Sequence, residues 1–185
     1  MVIAGGGVAA LEAAAALQDL AGDRVEVRIY SPREDFVYRP FAVGEPYGAS
    51  HAMRYQMRPL AERCGATFHL GSIGSVDPEG RRAQTHDGEE VGYEHLLVAC
   101  GSRLLAGVPG AVTFWGVADD GNVRDVVRDL TGGKLRRVAF TMPGGGTWAL
   151  PLYELALLAG RELATAGIEG TGLVIVTPEL SLIHI

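Results

Sequence analysis

A chain of 185 residues, 48% hydrophobic with 26 glycines and 21% charged residues, is long enough for one α/β domain and part of a second and too apolar to be disordered. Its net charge of −6, with arginines scattered or mixed with acids as at Arg33, Glu34 and Asp35, leaves no basic footprint for nucleic acid. Glu12, Glu154 and Arg161 break every apolar run short of the ~18 residues of a membrane span, and no basic segment opens a secretory signal, so a cytoplasmic chain, at most touching a membrane surface, is expected.

The first element is a short β-branched strand, Val2 and Ile3, running directly into "AGGGVAALEAAAAL". Ala10, Ala13, Ala14 and Leu17 recur at helical spacing as a stripe of small apolar side chains that can lie close on a sheet. Gly5, Gly7 and Ala10 satisfy GxGxxA with a strand before and a helix after, so the loop of Gly5, Gly6, Gly7, Val8, Ala9 and Ala10 reads as a nucleotide-binding turn. Gly5 permits the turn, Gly7 lets backbone amides reach a pyrophosphate at the helix N-terminus, and Ala10 keeps helix and strand close.

A second strand, "RVEVRIY" over residues 24–30, ends where such folds carry an acid for the ribose hydroxyls. Here the position 24 residues after Gly7 is Ser31. Either Ser31 and Pro32 meet the ribose, with Glu34 or Asp35 supplying a carboxylate, or they only form a turn. Residues 66–98 alternate strand-like runs with the turns Asp77-Pro78-Glu79-Gly80 and Asp87-Gly88, predicting an antiparallel meander that leads into a buried strand, "YEHLLVACGSR", ending at Gly101. Cys64 and Cys100 lie 36 positions apart, and His51, His69, His86, His95 and His184 show no ligand spacing, so no metal site is expected.

Further on, "LRRVAF" (135–140) reads as a strand and Leu152, Leu155, Ala156, Ala159 and Leu163 as a helical stripe, stopped at Gly167 before the strand "GLVIV" (172–176). This is a second βαβ unit.

The stretches "VIAGGGVAALEAA", "YSPREDFVYRPFAVGE" and "YEHLLVACGSR" together resemble the flavoprotein family with two dinucleotide-binding domains, in its sulfide:quinone oxidoreductase and type II NADH dehydrogenase branch. The fold so implied is α/β: a Rossmann-like FAD-binding domain with an inserted meander over residues 1–108, then a partial Rossmann-like NAD(P)-binding domain over 109–179. The closing "LSLIHI" departs from the family, so residues 180–185 are read as a tail foreign to it. The resemblance further implies FAD on Gly5, Gly7, Ala10, Ala99 and Gly101, with the backbone of Ile73 near the adenine and Arg39 and Pro40 toward the flavin ring. Cys100 replaces the family's threonine and is read as a residue beside the cofactor, not a catalytic thiol.

The same resemblance bears on the second glycine loop. Gly144, Gly146 and Ala149 satisfy GxGxxA by letter, but a helix starting there would take Pro151 into its interior at a cost of ~3 kcal/mol or more. Aligned instead on Glu154, the acid of the family's second motif, the glycine positions hold Thr147, Ala149 and Leu152, and Pro151 falls in the first turn. The loop is then unsuited to NAD(P)H. "YELA" (153–156) is similar to the helix start of sulfide:quinone oxidoreductases, which implies a quinone or other small acceptor. Trp148 stands where those enzymes place a redox cysteine, leaving the persulfide route without its thiol. Glu154 is the candidate for proton handling, or equally a carboxylate favourable in a helix's first turn.

Overall fold

The computed structural model describes residues 1–102, 105–116, 121–142 and 149–177. They fall into two compact units, Met1–Val37 with Arg54–Arg103, and Tyr38–Met53 with Leu104–Ile185.

In the first unit, β1 (Val2–Ala4), β2 (Val27–Ser31), β5 (Ala66–Leu70) and β9 (Leu96–Val98) form a parallel sheet in the order β5-β2-β1-β9. Successive side chains of a strand point to opposite faces, and both faces of β1 and β2 are covered. Ile3 and Ile29 pack with Ala10 and Ala14 of α1 (Val8–Ala21) and with Met57 of α2 (Met57–Arg63). Val2 and Tyr30 pack on the other face with Ala83 and Val91 of the meander. Ile29 is fully buried, worth roughly 1.5–3 kcal/mol of transfer free energy. The alanine stripe is what lets α1 lie close against its sheet.

The meander is β6 (Ile73–Asp77), β7 (Arg82–Thr85) and β8 (Glu90–Gly92), antiparallel throughout. Its first turn is tied by Asp77 Oδ1, which accepts from the amides of Glu79 at 3.2 Å and Gly80 at 3.0 Å. Two details differ from the sequence reading. Ala66–Leu70 belongs to the main sheet instead of the meander, because Gly71, at φ +155° with its amide on Ser31 O, ends β5 before the antiparallel strands begin. The strand β9 is less buried than its apolar run suggests, with Val98 66% exposed, since β9 pairs with β1 alone among the described residues.

The chain leaves the first unit along β3 (Asp35–Tyr38) and re-enters it along β4 (Met53–Gln56). The second unit opens on a 3₁₀ helix, Arg39–Tyr47, closed by Gly48 in the left-handed region. It continues with α3 (Asn122–Thr131), β10 (Arg137–Thr141), α4 (Leu150–Thr165) and β11 (Gly172–Val176), the two strands parallel. The buried face of α4 is Leu152, Leu155, Ala156, Ala159 and Leu163, the stripe read from the sequence. The helix stops as Gly167 (φ +67°) donates to Ala164 O at 3.2 Å and Ile168 donates to Leu163 O at 3.0 Å. This pair of bonds around a left-handed glycine satisfies carbonyls that have no partner within the helix.

Candidate functional site

In a doubly wound sheet, ligands bind outside the carboxyl ends of the strands where the strand order reverses. Here that point lies between β1 and β9. Gly5 follows β1 at φ +126°, a conformation closed to side chains, and a Cβ there would run into Ala99 O. The turn is pinned by Gly5 N–H on Tyr30 O at 2.8 Å and Ala99 N–H on Ala4 O at 2.7 Å. Gly5 and Ala99 are thus drawn into backbone contact. Cys100 follows, its Sγ 3.4 Å from Ala4 O and its side chain exposed, and Gly101 takes φ +74°.

Gly7 is the N-cap of α1, in extended backbone at φ −93°, with nothing within 4 Å of where a Cβ would stand. No side chain caps this helix and no acid sits in its first turn. Val8 and Ala9 are exposed and Ala10 is buried. The amides of Val8 and Ala9, at the first two helical positions, have no intrahelical acceptor, while Ala10 N–H already donates to Gly7 O at 3.1 Å; the positive end of the helix dipole lies behind them, an arrangement suited to a pyrophosphate.

Ser31 closes β2 with its side chain only 4% exposed. Its hydroxyl accepts from Arg33 N–H at 3.3 Å and lies 3.4 Å from Arg33 O, within its own turn. A Cβ on Gly6 would meet Ser31 Oγ at 2.6 Å and Met57 Cε at 3.3 Å. Pro32 is exposed, and Ile73 opens β6 two residues after Gly71. Gly5, Gly6, Ser31, Ala99 and Cys100 are thus gathered at one end of the sheet. Met57, which sequence reading did not single out, completes the wall beside Gly6. Its only signal is a proline near a helix start, Pro59 in "MRPLAER".

Arg39 and Pro40 open the 3₁₀ helix of the second unit, and Glu154 is the fifth residue of α4. Among the described residues the Glu154 side chain makes no hydrogen bond or ion pair and caps nothing, and the first turn of α4 holds no acid. Gly144, Gly146, Thr147 and Trp148 lie outside the described residues. The N-cap of α4 is Ala149, buried, and Pro151 sits in the first turn, the placement set by the Glu154 register. Leu150, Pro151, Leu152 and Tyr153 make that turn bulky where the α1 turn is open. Beside it, a cavity of about 560 Å³ in the second unit runs along β10 and is lined by Val108, Phe114, Val126, Phe140, Leu152 and Leu155, an apolar surround for any charged group. Among the described residues no cluster of three or more His, Cys, Asp or Glu could hold a metal ion, and no helix is long and apolar enough to cross a membrane.

No family model matches the chain. Over 177 residues it is 24% identical to the sulfide-quinone reductase of Aquifex aeolicus, covering 91% of this chain and 40% of that protein. Its fold is similar to the crystal structure of the sulfide:quinone oxidoreductase from the hyperthermophilic bacterium Aquifex aeolicus, with a TM-score of 0.83 at 24% identity over 99% of this chain and 44% of that one. A ferredoxin reductase from Rhodopseudomonas palustris matches at TM-score 0.55 and 20% identity, over 94% of this chain and 41% of that one. A water-forming NADH oxidase from Lactobacillus brevis, bound to NADH, matches at 0.55 and 15%, over 95% and 39%. The chain thus spans less than half the length of each. The resemblance drawn from the motifs, to FAD- and NAD(P)-dependent oxidoreductases of the sulfide:quinone oxidoreductase kind, is borne out, and so is the α/β Rossmann-like fold.

Proposed function

We propose that the chain serves an FAD-dependent oxidoreductase of the sulfide:quinone oxidoreductase type, with the first unit holding the cofactor. The observation that carries this reading is Gly7: an uncapped, acid-free helix N-terminus with open space before it, set where β1 and β9 end side by side. The amides of Gly7, Val8 and Ala9 would meet the pyrophosphate, and the backbone of Ala99 and Gly101 would pass beneath the cofactor. Bound FAD supplies two-electron transfer between a donor and an acceptor. The protein's own residues position it and exclude the pyrophosphate from other orientations.

A quinone is the acceptor we favour, because the Aquifex relative is a sulfide-quinone reductase. NAD(P)H as donor is the second reading, since the Lactobacillus brevis enzyme shares the fold and was seen bound to NADH. Against it stands the first turn of α4, whose N-cap is buried and whose leading side chains are bulky. Glu154, without a partner among the described residues, is the group we assign to proton handling on the acceptor side.

The test is the visible absorbance of the purified chain after incubation with FAD and gel filtration, alongside Gly7→Val. Retention of flavin by the parent and its loss in a folded Gly7→Val supports the site; a folded parent that retains none refutes it. Anaerobic bleaching by NADH or by sulfide then separates the donors, and a flavin reduced by neither points to a binding module without catalysis.

A further inference from the structure

The glycine loop opens at the carboxyl ends of β1 and β2, and the amino ends of the same strands border a second concave surface. A cavity of about 680 Å³ lies between the residues that lead into β1, β2 and β9 and the β7 and β8 side of the meander. Four arginines line it, Arg24, Arg28, Arg81 and Arg82, in a chain whose net charge is −6. Two of them are committed elsewhere. Arg24 closes α1, donating from Nε to Ala21 O at 3.0 Å and from Nη2 to Leu20 O at 2.8 Å, and Arg82 donates to Glu90 Oε1 at 2.8 Å.

Arg28 and Arg81 are tied to adjacent residues at the end of β8. Arg28 is half-buried beside the Tyr30 hydroxyl, with Nη2 on Gly92 O at 2.6 Å and Nε 3.9 Å from a Glu26 carboxylate oxygen. Gly92 O takes one of the five N–H groups of that guanidinium. One residue along, Tyr93 N–H donates to Arg81 O at 3.0 Å and fixes the Arg81 backbone. The Arg81 side chain is exposed, and its guanidinium has no hydrogen bond or ion pair among the described residues. At φ +51°, Arg81 is also the one non-glycine among the described residues in left-handed backbone. That conformation suits glycine and strains a residue with a Cβ, so an arginine held there is kept for what its side chain does. Glu26 and Glu94 line the same cavity, both exposed. The surface thus sets guanidinium donors beside carboxylate acceptors.

We propose that this cavity binds a phosphate monoester bearing hydroxyl groups, with Arg81 and Arg28 on the phosphate and Glu26 and Glu94 accepting from the hydroxyls. Guanidinium matches phosphate oxygens through charge-assisted and often paired hydrogen bonds. Arg28, already anchored, presents its charge at little further cost in order, and Arg81 closes on the ligand from the turn. The site lies at the opposite ends of the strands from the glycine loop and takes no part in holding FAD.

The experiment is calorimetric titration of the full chain with glycerol 3-phosphate and with inorganic phosphate, in the absence and presence of excess FAD, repeated on Arg81→Gly. Glycerol 3-phosphate is expected to bind the parent with a Kd of about 1 mM or tighter, equally well with FAD present. Inorganic phosphate, without the hydroxyls, should bind about threefold more weakly or worse. Arg81→Gly keeps the turn and relieves its strain, so it should melt no lower than the parent while binding glycerol 3-phosphate about tenfold more weakly. A folded parent that binds no glycerol 3-phosphate, or an unchanged affinity in Arg81→Gly, overturns the proposal. Equal binding of inorganic phosphate overturns the ligand class, and displacement by FAD places the phosphate at the glycine loop and overturns the separate site. Each of these outcomes leaves the FAD reading standing, because that reading is tested at Gly7.

Discussion

A Cβ at position 6 would stand 2.6 Å from Ser31 Oγ and 2.7 Å from Ser31 Cβ, so the glycine and the serine share one small space at the root of the first glycine loop. Gly6 does not lie in the left-handed region, so the constraint is steric and not conformational. Gly6→Ala is expected to destabilise the chain by about 1–3 kcal/mol through overpacking. In a Ser31→Gly background the same change should cost at least ~1 kcal/mol less, read as coupling in a double-mutant cycle by urea denaturation. Additive effects would show that the two residues do not share this space in solution.

Gly5 and Gly7 should separate folding from binding. Gly5→Ala combines φ +126° with a Cβ in contact with Ala99 O, and is expected to cost several kcal/mol, about 2 or more, or to abolish the fold. Gly7→Ala puts a methyl into empty space at an ordinary φ and should cost about 1 kcal/mol or less, as expected for alanine at an N-cap. That methyl nevertheless points where the pyrophosphate would approach. The expected outcome is a melting temperature near that of the parent with FAD affinity reduced about tenfold, roughly 1.4 kcal/mol. Full retention of FAD binding by Gly7→Ala would remove this loop from the site.

How far the sequence could be read depended on whether a signal was local. The α1 and α4 stripes were legible because burial of one helical face leaves a 3.6-residue period, and Ala10, Ala14, Leu155 and Ala159 are buried as that period requires. The meander turns were legible from Asp77 and Gly80, whose chemistry lies within four residues. The start of α4 was decided by Pro151, since an imino nitrogen cannot serve a helix interior. What escaped was non-local. Nothing in "ATFHL" reveals whether it pairs with β2 or β6, because the choice depends on Gly71 reaching Ser31 O across 40 residues. Met57 beside Gly6 is a contact of the same kind, and so is the assembly of Tyr38–Met53 with the second unit.

Pro151 supplies a test of the α4 start. In the first turn its missing amide costs nothing, so Pro151→Ala should change stability by less than about 1 kcal/mol in either direction. Were Pro151 inside a helix that began at the glycines, the same substitution would relieve the interior penalty and stabilise by about 3 kcal/mol. Chemical denaturation of the two proteins distinguishes these outcomes. A large stabilisation would return the loop to the GxGxxA register and reopen NAD(P)H binding there.

Tyr47 makes the second unit sensitive to alkali. Its hydroxyl donates to Leu155 O at 3.0 Å, and its pKa is pushed up from 10.0 to about 12, first by burial and then by the negative charge of Glu162. The folded state therefore holds this proton more tightly than the unfolded state does. The resulting stability is fully present below the unfolded value of 10.0 and is lost as pH rises toward about 12. Because the side chain is only partly buried, the loss is at most about 2 kcal/mol. Tyr47→Phe removes both the hydrogen bond and the titration. At neutral pH the variant should be less stable by about 1 kcal/mol. Between pH 10 and 12 the gap should close and then reverse, because only the parent must give up a proton in a poorly solvated place. Urea melts of both proteins across that range give the difference directly. A gap that stays constant with pH would mean that the Tyr47 hydroxyl is open to water and is not held against α4.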